Sequence, residues 1–170
     1  MTTTRKQNRN KSILQEHQMA DISTDFIPCV LIPLHQHYLL LPNTTIAEVI
    51  PMPRLSNVEN MPDYWVGQHD WNSRQLPVID LEALVENNSS DTDDANKLCI
   101  LHGINTDANI KVYALPCYGV PQLIHLNEAA LKLAPDTRES EFLHYQIQIG
   151  TKIAYIPNLD AIEASISQQQ

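Results

Sequence analysis

Few side chains in this 170-residue chain combine the types and spacing that chemistry uses. His69 and Asp70 are adjacent, and an imidazole beside a carboxylate can relay a proton to or from a substrate. Successive residues of a strand point to opposite faces, so the pair is not preformed. His35 and His37 flank Gln36, and in a strand both rings would face one side, as a metal site requires. They fall at a hairpin turn with no third ligand nearby, and two exposed turn histidines are expected. The chain contains no G-x-S-x-G, Walker loop, G-x-G-x-x-G, H-E-x-x-H or C-x-x-C motif. These absences weaken the reading of the chain as an enzyme without excluding it, and neither a cofactor nor a metal is expected. The alternative is a small-molecule-binding or hydrolytic β-barrel using His69 and Asp70, and it requires a deep polar cleft around them.

Other residues suit binding. Glu48 lies within the apolar stretch "IAEVI", and a carboxylate there needs a partner because burying it alone is costly. Arg74, opening the strand "RQLPVI", is the expected partner. Trp65 is assigned to the core. Trp71 sits between Asp70 and Asn72 in a polar turn, where a large ring can anchor a partner surface.

The chain carries 11 Lys and Arg against 20 Asp and Glu, a net charge of −9. From residue 26 onward the count is 7 basic against 17 acidic. Such a body lacks the phosphate-neutralising surface that nucleic-acid binding needs. Cys29, Cys99 and Cys117 are odd in number, far apart and set in apolar runs, which reads as reduced core thiols in the cytoplasm. No apolar run approaches membrane-spanning length, so no direct membrane insertion is expected. Residues 1–25 are polar and read as a disordered tail, 164–170 as a second tail. Nothing calls for an oligomer, and a monomer is expected.

These residues must be held by β structure. "FIPCVLIPLHQHYLLLP" reads as a hairpin turning at His35–His37, and "TTIAEVIPM" as a third strand. "RLSNVENMPDYW" is a longer connection with room for a helical turn. In "RQLPVIDLEALVE" a strand passes into a short helix at Asp80, a preferred N-cap. The acidic segment at about 86–97 reads as a linker. Beyond it the pattern restarts. "CVLIPL" from Cys29 returns as "CILHGI" from Cys99, and "LPNTTIAEVIPM" from Leu41 as "LPCYGVPQLIHL" from Leu115. "RQLPVIDLEAL" from Arg74 returns as "KIAYIPNLDAI" from Lys152, with Asn158 in the capping place of Asp80. The offsets are 70, 74 and 78. They define repeats at about 27–86 and 98–162, the second carrying Gln122 for Glu48. Two small β lobes of about 60 residues each must pack on one another to be stable.

"WVGQHDWNSRQLPVIDLEAL", Trp65–Leu84, resembles the CheW-like chemotaxis coupling proteins, whose stretch "GVINLRGxVIPVIDL" aligns without gaps through Gly67, Pro77, Val78, Ile79, Asp80 and Leu81. "IAEVI" is similar to the family's "V-x-E-I" strand, and "FLHYQIQIGTKIAYIPNLDAI" resembles its C-terminal motif. The resemblance implies a mainly β domain over 26–163, made of two packed five-stranded SH3-like barrels with short helices, whose strands can cross between lobes. It also implies a non-enzymatic adaptor between the regulatory domain of a CheA-type histidine kinase and chemoreceptor cytoplasmic tips. Partner contacts are then expected at Glu48, Asp70, Trp71, Asn72 and Arg74, and structural roles at Gly67, Pro77, Asp80 and Asn158. The family's "NLRG" is "DWNS" here, which removes the Arg that commonly pairs with the strand Glu. That departure, with the polar tail and acidic linker, resembles the ChpC-type branch of type IV pilus twitching systems.

Overall fold

The computed structural model describes residues 26–127, 129, 131–135, 137 and 139–170; the expected tail at 1–25 lies outside them. Among the described residues, ten strands and two α-helices follow in order: β1 Phe26–Pro33, β2 Tyr38–Pro42, β3 Ile46–Pro51, β4 Trp65–Trp71, β5 Arg74–Ile79, α1 Leu81–Glu86, β6 Lys97–His102, β7 Val112–Cys117, β8 Gln122–Asn127, β9 Leu143–Ile149, β10 Lys152–Pro157 and α2 Leu159–Ser167. They form two five-stranded sheets, ordered β8-β1-β2-β10-β9 and β3-β6-β7-β5-β4.

The matched stretches of the sequence fall on strands in the same order. Cys29 and Cys99 lie in β1 and β6, Leu41 and Leu115 in β2 and β7, and Arg74 and Lys152 open β5 and β10. Repeats and lobes nevertheless differ. Each sheet takes a two-strand hairpin from one repeat and three strands from the other, meeting in one antiparallel and one parallel pairing.

Both hairpins are buried on two sides. Cys29, Leu31 and Leu40 face one sheet's interior, while Val30, Ile32, Leu39 and Leu41 face a core shared with the other sheet. In the same way, Leu98 and Ile100 face the second interior, and Cys99, Leu101 and Leu115 the shared core. Burial on both faces explains the unbroken apolar runs "CVLI" and "LCIL", where a half-solvated strand would alternate. The helices close the shared core with Leu81 and Leu84 from α1 and Leu159, Ile162 and Ile166 from α2. Those three α2 positions form one helical stripe. The assignment of 164–170 as a tail is therefore corrected: α2 runs to Ser167, and Ile166 is fully buried.

Both sheets close on themselves. In the second, Ser56 and Gln68 exchange two backbone bonds of 2.9 Å, joining the segment after β3 to β4 across the sheet's open side. The expected helical turn of this connection is thus replaced by a seam. In the first, Leu133 bridges Ile147 at the corresponding place. Such closure removes exposed sheet edges. A Cβ on Gly67 would stand 2.8 Å from the Ser56 carbonyl oxygen, so the seam's close approach requires glycine.

Candidate functional site

The hairpin β4–β5 ends in a two-residue turn, with Trp71 opposite Arg74 and positive φ at both Asn72 (49°) and Ser73 (63°). That is the arrangement of a type I′ turn, whose twist matches its strands. The tip projects Asp70, Asn72 and Arg74 into solvent, and Trp71 is half-buried. The indole Nε1 of Trp71 donates to Glu48 Oε2 at 2.9 Å. Since β3 and β4 are opposite edges of their sheet, this bond links the two edges, with the Trp71 ring packed against the second interior. Of the candidate residues, the structure joins Glu48 to Trp71 and sets Asp70, Asn72 and Arg74 on the same tip.

The expected Glu48–Arg74 pair does not form. Glu48 is exposed, and a bulge between Ile46 and Glu48 turns its carboxylate to the surface, where the indole meets it. The bulge also changes the repeat alignment. With Cys29 equivalent to Cys99, Glu48 opposite Ile100 corresponds to Leu123 opposite Val30, whereas Gln122 corresponds to Ile46. The first repeat thus has a charge where the second has a leucine that is 61% exposed.

Asp80 and Asn158 cap their helices, accepting from Ala83 N at 3.3 Å and Ala161 N at 3.2 Å. Asp80 also accepts from Ser90 Oγ at 2.8 Å, which fixes the start of the acidic segment after α1. Burial, opposed by the Ser90 and Ala83 bonds, leaves its carboxyl above the usual range. Pro77 is buried in β5 opposite Gln68.

His37 is not an exposed turn residue. Its ring stacks on Tyr155 with centroids 4.4 Å apart, its Nε2 lies 3.1 Å from the Tyr155 hydroxyl, and its Nδ1 is 3.7 Å from Glu82 Oε1. Glu82, on α1, accepts from Gln36 N at 3.0 Å and His37 N at 3.1 Å. Burial alone would raise the Glu82 carboxyl, but the His37 ring and the two N–H groups outweigh it and hold the group below the usual range. A line of carboxylate, imidazole and hydroxyl resembles a nucleophile triad. Here burial, then the charges of Glu86 and Glu82, push the Tyr155 hydroxyl well above its ordinary range, so it serves as a hydrogen-bonding strut. Sequence reading missed this joint. Its signal was an imidazole bordering the apolar run "YLLL", where a polar ring needs partners.

His35 stacks on Tyr118, and among the described residues no three His, Cys, Asp or Glu side chains are arranged to hold a metal. On β4, His69 is half-buried and Asp70 exposed, and the larger surface depressions are lined by other residues. The three cysteines are buried free thiols. No helix among the described residues is long and apolar enough to cross a membrane.

Two closed five-stranded sheets, built from exchanged repeats around a shared core, define a double-barrel domain. The profile of the CheW-like domain matches residues 28–166, and the chain belongs to that family. The crystal structure of the scaffolding protein TtCheW from Thermoanaerobacter tengcongensis is similar in fold, with a TM-score of 0.62 at 17% identity over 79% of this chain and 85% of that one. No curated protein gives a significant match. The resemblance drawn from Trp65–Leu84 and the expected pair of barrels both hold.

Proposed function

We propose that the chain is an adaptor of chemosensory signalling that holds the regulatory domain of a CheA-type histidine kinase against a chemoreceptor cytoplasmic tip, without a covalent step. The observation that carries this reading is the match of residues 28–166 to the CheW-like domain on two barrels fused through one core. Fusion fixes two partner surfaces relative to one another, which lowers the ordering cost of bringing two proteins together. The tip of Asp70, Trp71, Asn72 and Arg74 is the partner contact, and the Glu48 bond holds Trp71 as a pre-oriented aromatic anchor. Replacement of the family's "NLRG" by Asp70–Ser73 favours the ChpC-type branch of type IV pilus systems over the flagellar branch.

A pull-down from the native cytoplasm tests this reading. The protein should recover a histidine kinase or a chemoreceptor, and Trp71→Ala should lose about tenfold of that recovery, as removal of an interface hot spot does. Recovery of neither partner by the unaltered protein overturns the reading.

A further inference from the structure

The strand register defines one end of the first barrel. β1 and β9 begin there, and β2, β8 and β10 end there. Ile27 stands opposite Leu126, and Tyr145 opposite Ile156. Leu126 and Ile156 pack on that barrel's interior, and residues directly opposite share a face, so all four belong to its mouth. Leu131, from the connection between β8 and β9, packs on the same interior. Apolar surface is nevertheless left over: Phe26 is 47%, Ile27 43% and Tyr145 59% exposed.

The second barrel shows what becomes of the chain at the corresponding end. There β6, the counterpart of β1, begins with Lys97 opposite Pro51 on one side and Cys117 on the other. The segment leading into β6 is bonded to that end. Asn96 donates its N–H to the Cys117 carbonyl and accepts from Met52 N, both at 3.0 Å, and Ser90 N donates to the Asp63 carbonyl at 3.3 Å. Into β1 leads the stretch 1–25, which lies outside the described residues and enters the first barrel at its apolar end. Ile22 precedes Phe26 by four residues, at most about 14 Å of chain, and Met19 precedes it by seven. Five strands about 4.8 Å apart leave a mouth roughly 8–10 Å across, within that reach.

We propose that residues 13–25 fold back as a cap on this end of the first barrel, setting Met19 and Ile22 against Ile27, Leu126 and Tyr145. The cap shields the apolar mouth from other apolar surfaces. Tethering makes the contact intramolecular, at an effective concentration of roughly millimolar, so that a few apolar side chains suffice to hold it. The proposal goes beyond the adaptor reading and does not depend on it.

Methyl NMR of the full chain tests it. Met19→Asp with Ile22→Asp should shift the Leu126 and Ile156 methyl resonances by more than a linewidth and leave Ile149, at the barrel's other end, in place. Thr3→Asp with Thr4→Asp, an equal charge change ahead of the segment, should shift none of them. Superimposable spectra of the unaltered chain and the Met19 and Ile22 double variant would overturn the proposal. Shifts of equal size at Ile149, or from the threonine variant, would overturn it as well. On tenfold dilution of the unaltered chain the Leu126 and Ile156 resonances should hold. Movement toward the positions of the Met19 and Ile22 variant would make the occupant a second copy's segment and overturn the intramolecular cap. The adaptor reading is decided separately, by the pull-down.

Discussion

Glu82 and Glu163 hold equivalent hairpin turns, one in each repeat, and their carboxyls are shifted in opposite directions. Glu82 on α1 receives the N–H groups of Gln36 and His37 between β1 and β2. Glu163 on α2 receives those of Ile104 and Asn105 between β6 and β7, at 2.7 and 3.1 Å, and the Tyr113 hydroxyl at 3.3 Å. Each helix follows a strand of one barrel and grips the hairpin that the same repeat lends to the other, so the two carboxylates lock the strand exchange. Glu82 is held below its ordinary value, burial being outweighed by His37 and the turn N–H groups. Glu163 is raised, because burial outweighs the bonds from Asn105, Ile104 and Tyr113.

The charge is thus favourable at Glu82 and costly at Glu163. Glu82→Gln should lower stability at pH 7 by about 1 kcal/mol, the worth of a charge-assisted bond over a neutral one. Glu163→Gln, which keeps an acceptor for the turn and meets Tyr113 through its amide, should be neutral or slightly stabilising. Urea denaturation of both variants at pH 7 checks this, and a larger loss from Glu163→Gln contradicts it.

The acid limb follows from the same shifts. A lowered folded value means that Glu82 contributes fully above its unfolded value of 4.5 and that the contribution is lost as pH falls through the folded value. Glu163, raised, disfavours folding as pH rises from 4.5 through its folded value. The stability gap between the unaltered protein and Glu82→Gln should therefore be constant near neutrality and shrink below pH 4.5. Denaturation midpoints measured across the acid range test it.

At the seam, Gly67→Ala would press a methyl group against the Ser56 carbonyl, 2.8 Å from the Cβ position. The two Ser56–Gln68 backbone bonds must then lengthen. A loss of about 1–3 kcal/mol is expected, as for overpacking of a close contact. Faster hydrogen exchange at the Gln68 amide would show that the seam is where the strain is released.

The turn at Asn72–Ser73 carries a different strain. Serine at φ 63° occupies the left-handed region that costs an L-residue about 1 kcal/mol or more, whereas asparagine tolerates it. Ser73→Gly should stabilise the protein by about 0.5–1 kcal/mol after the entropic cost of glycine is set against the relief. Thermal denaturation measures it, and a lowered midpoint contradicts the reading.

Strand order along the chain was legible in the sequence, because the offsets of 70, 74 and 78 fall on β1/β6, β2/β7 and β5/β10. The helix starts at Asp80 and Asn158 were legible too, since capping is a local interaction. Which barrel receives each hairpin was not, because an apolar strand buried on both faces looks the same whichever partner it takes. The Glu48–Trp71 bond was hidden by the bulge at Ile46, which shifts the register by one residue and turns the side chain outward. Glu82 stood in the first turn of a short helix, where an acidic residue ordinarily faces solvent and favours the helix dipole. Its role depends on a turn 45 residues away.

The adaptor function is tested most directly by co-sedimentation of the CheA-type kinase from the same cell with membranes bearing its chemoreceptors, with and without the protein. Kinase should appear in the membrane fraction when the protein is added and fall by about tenfold with Trp71→Ala, which removes the proposed anchor at the tip. Sedimentation of the kinase that does not respond to the protein would contradict it.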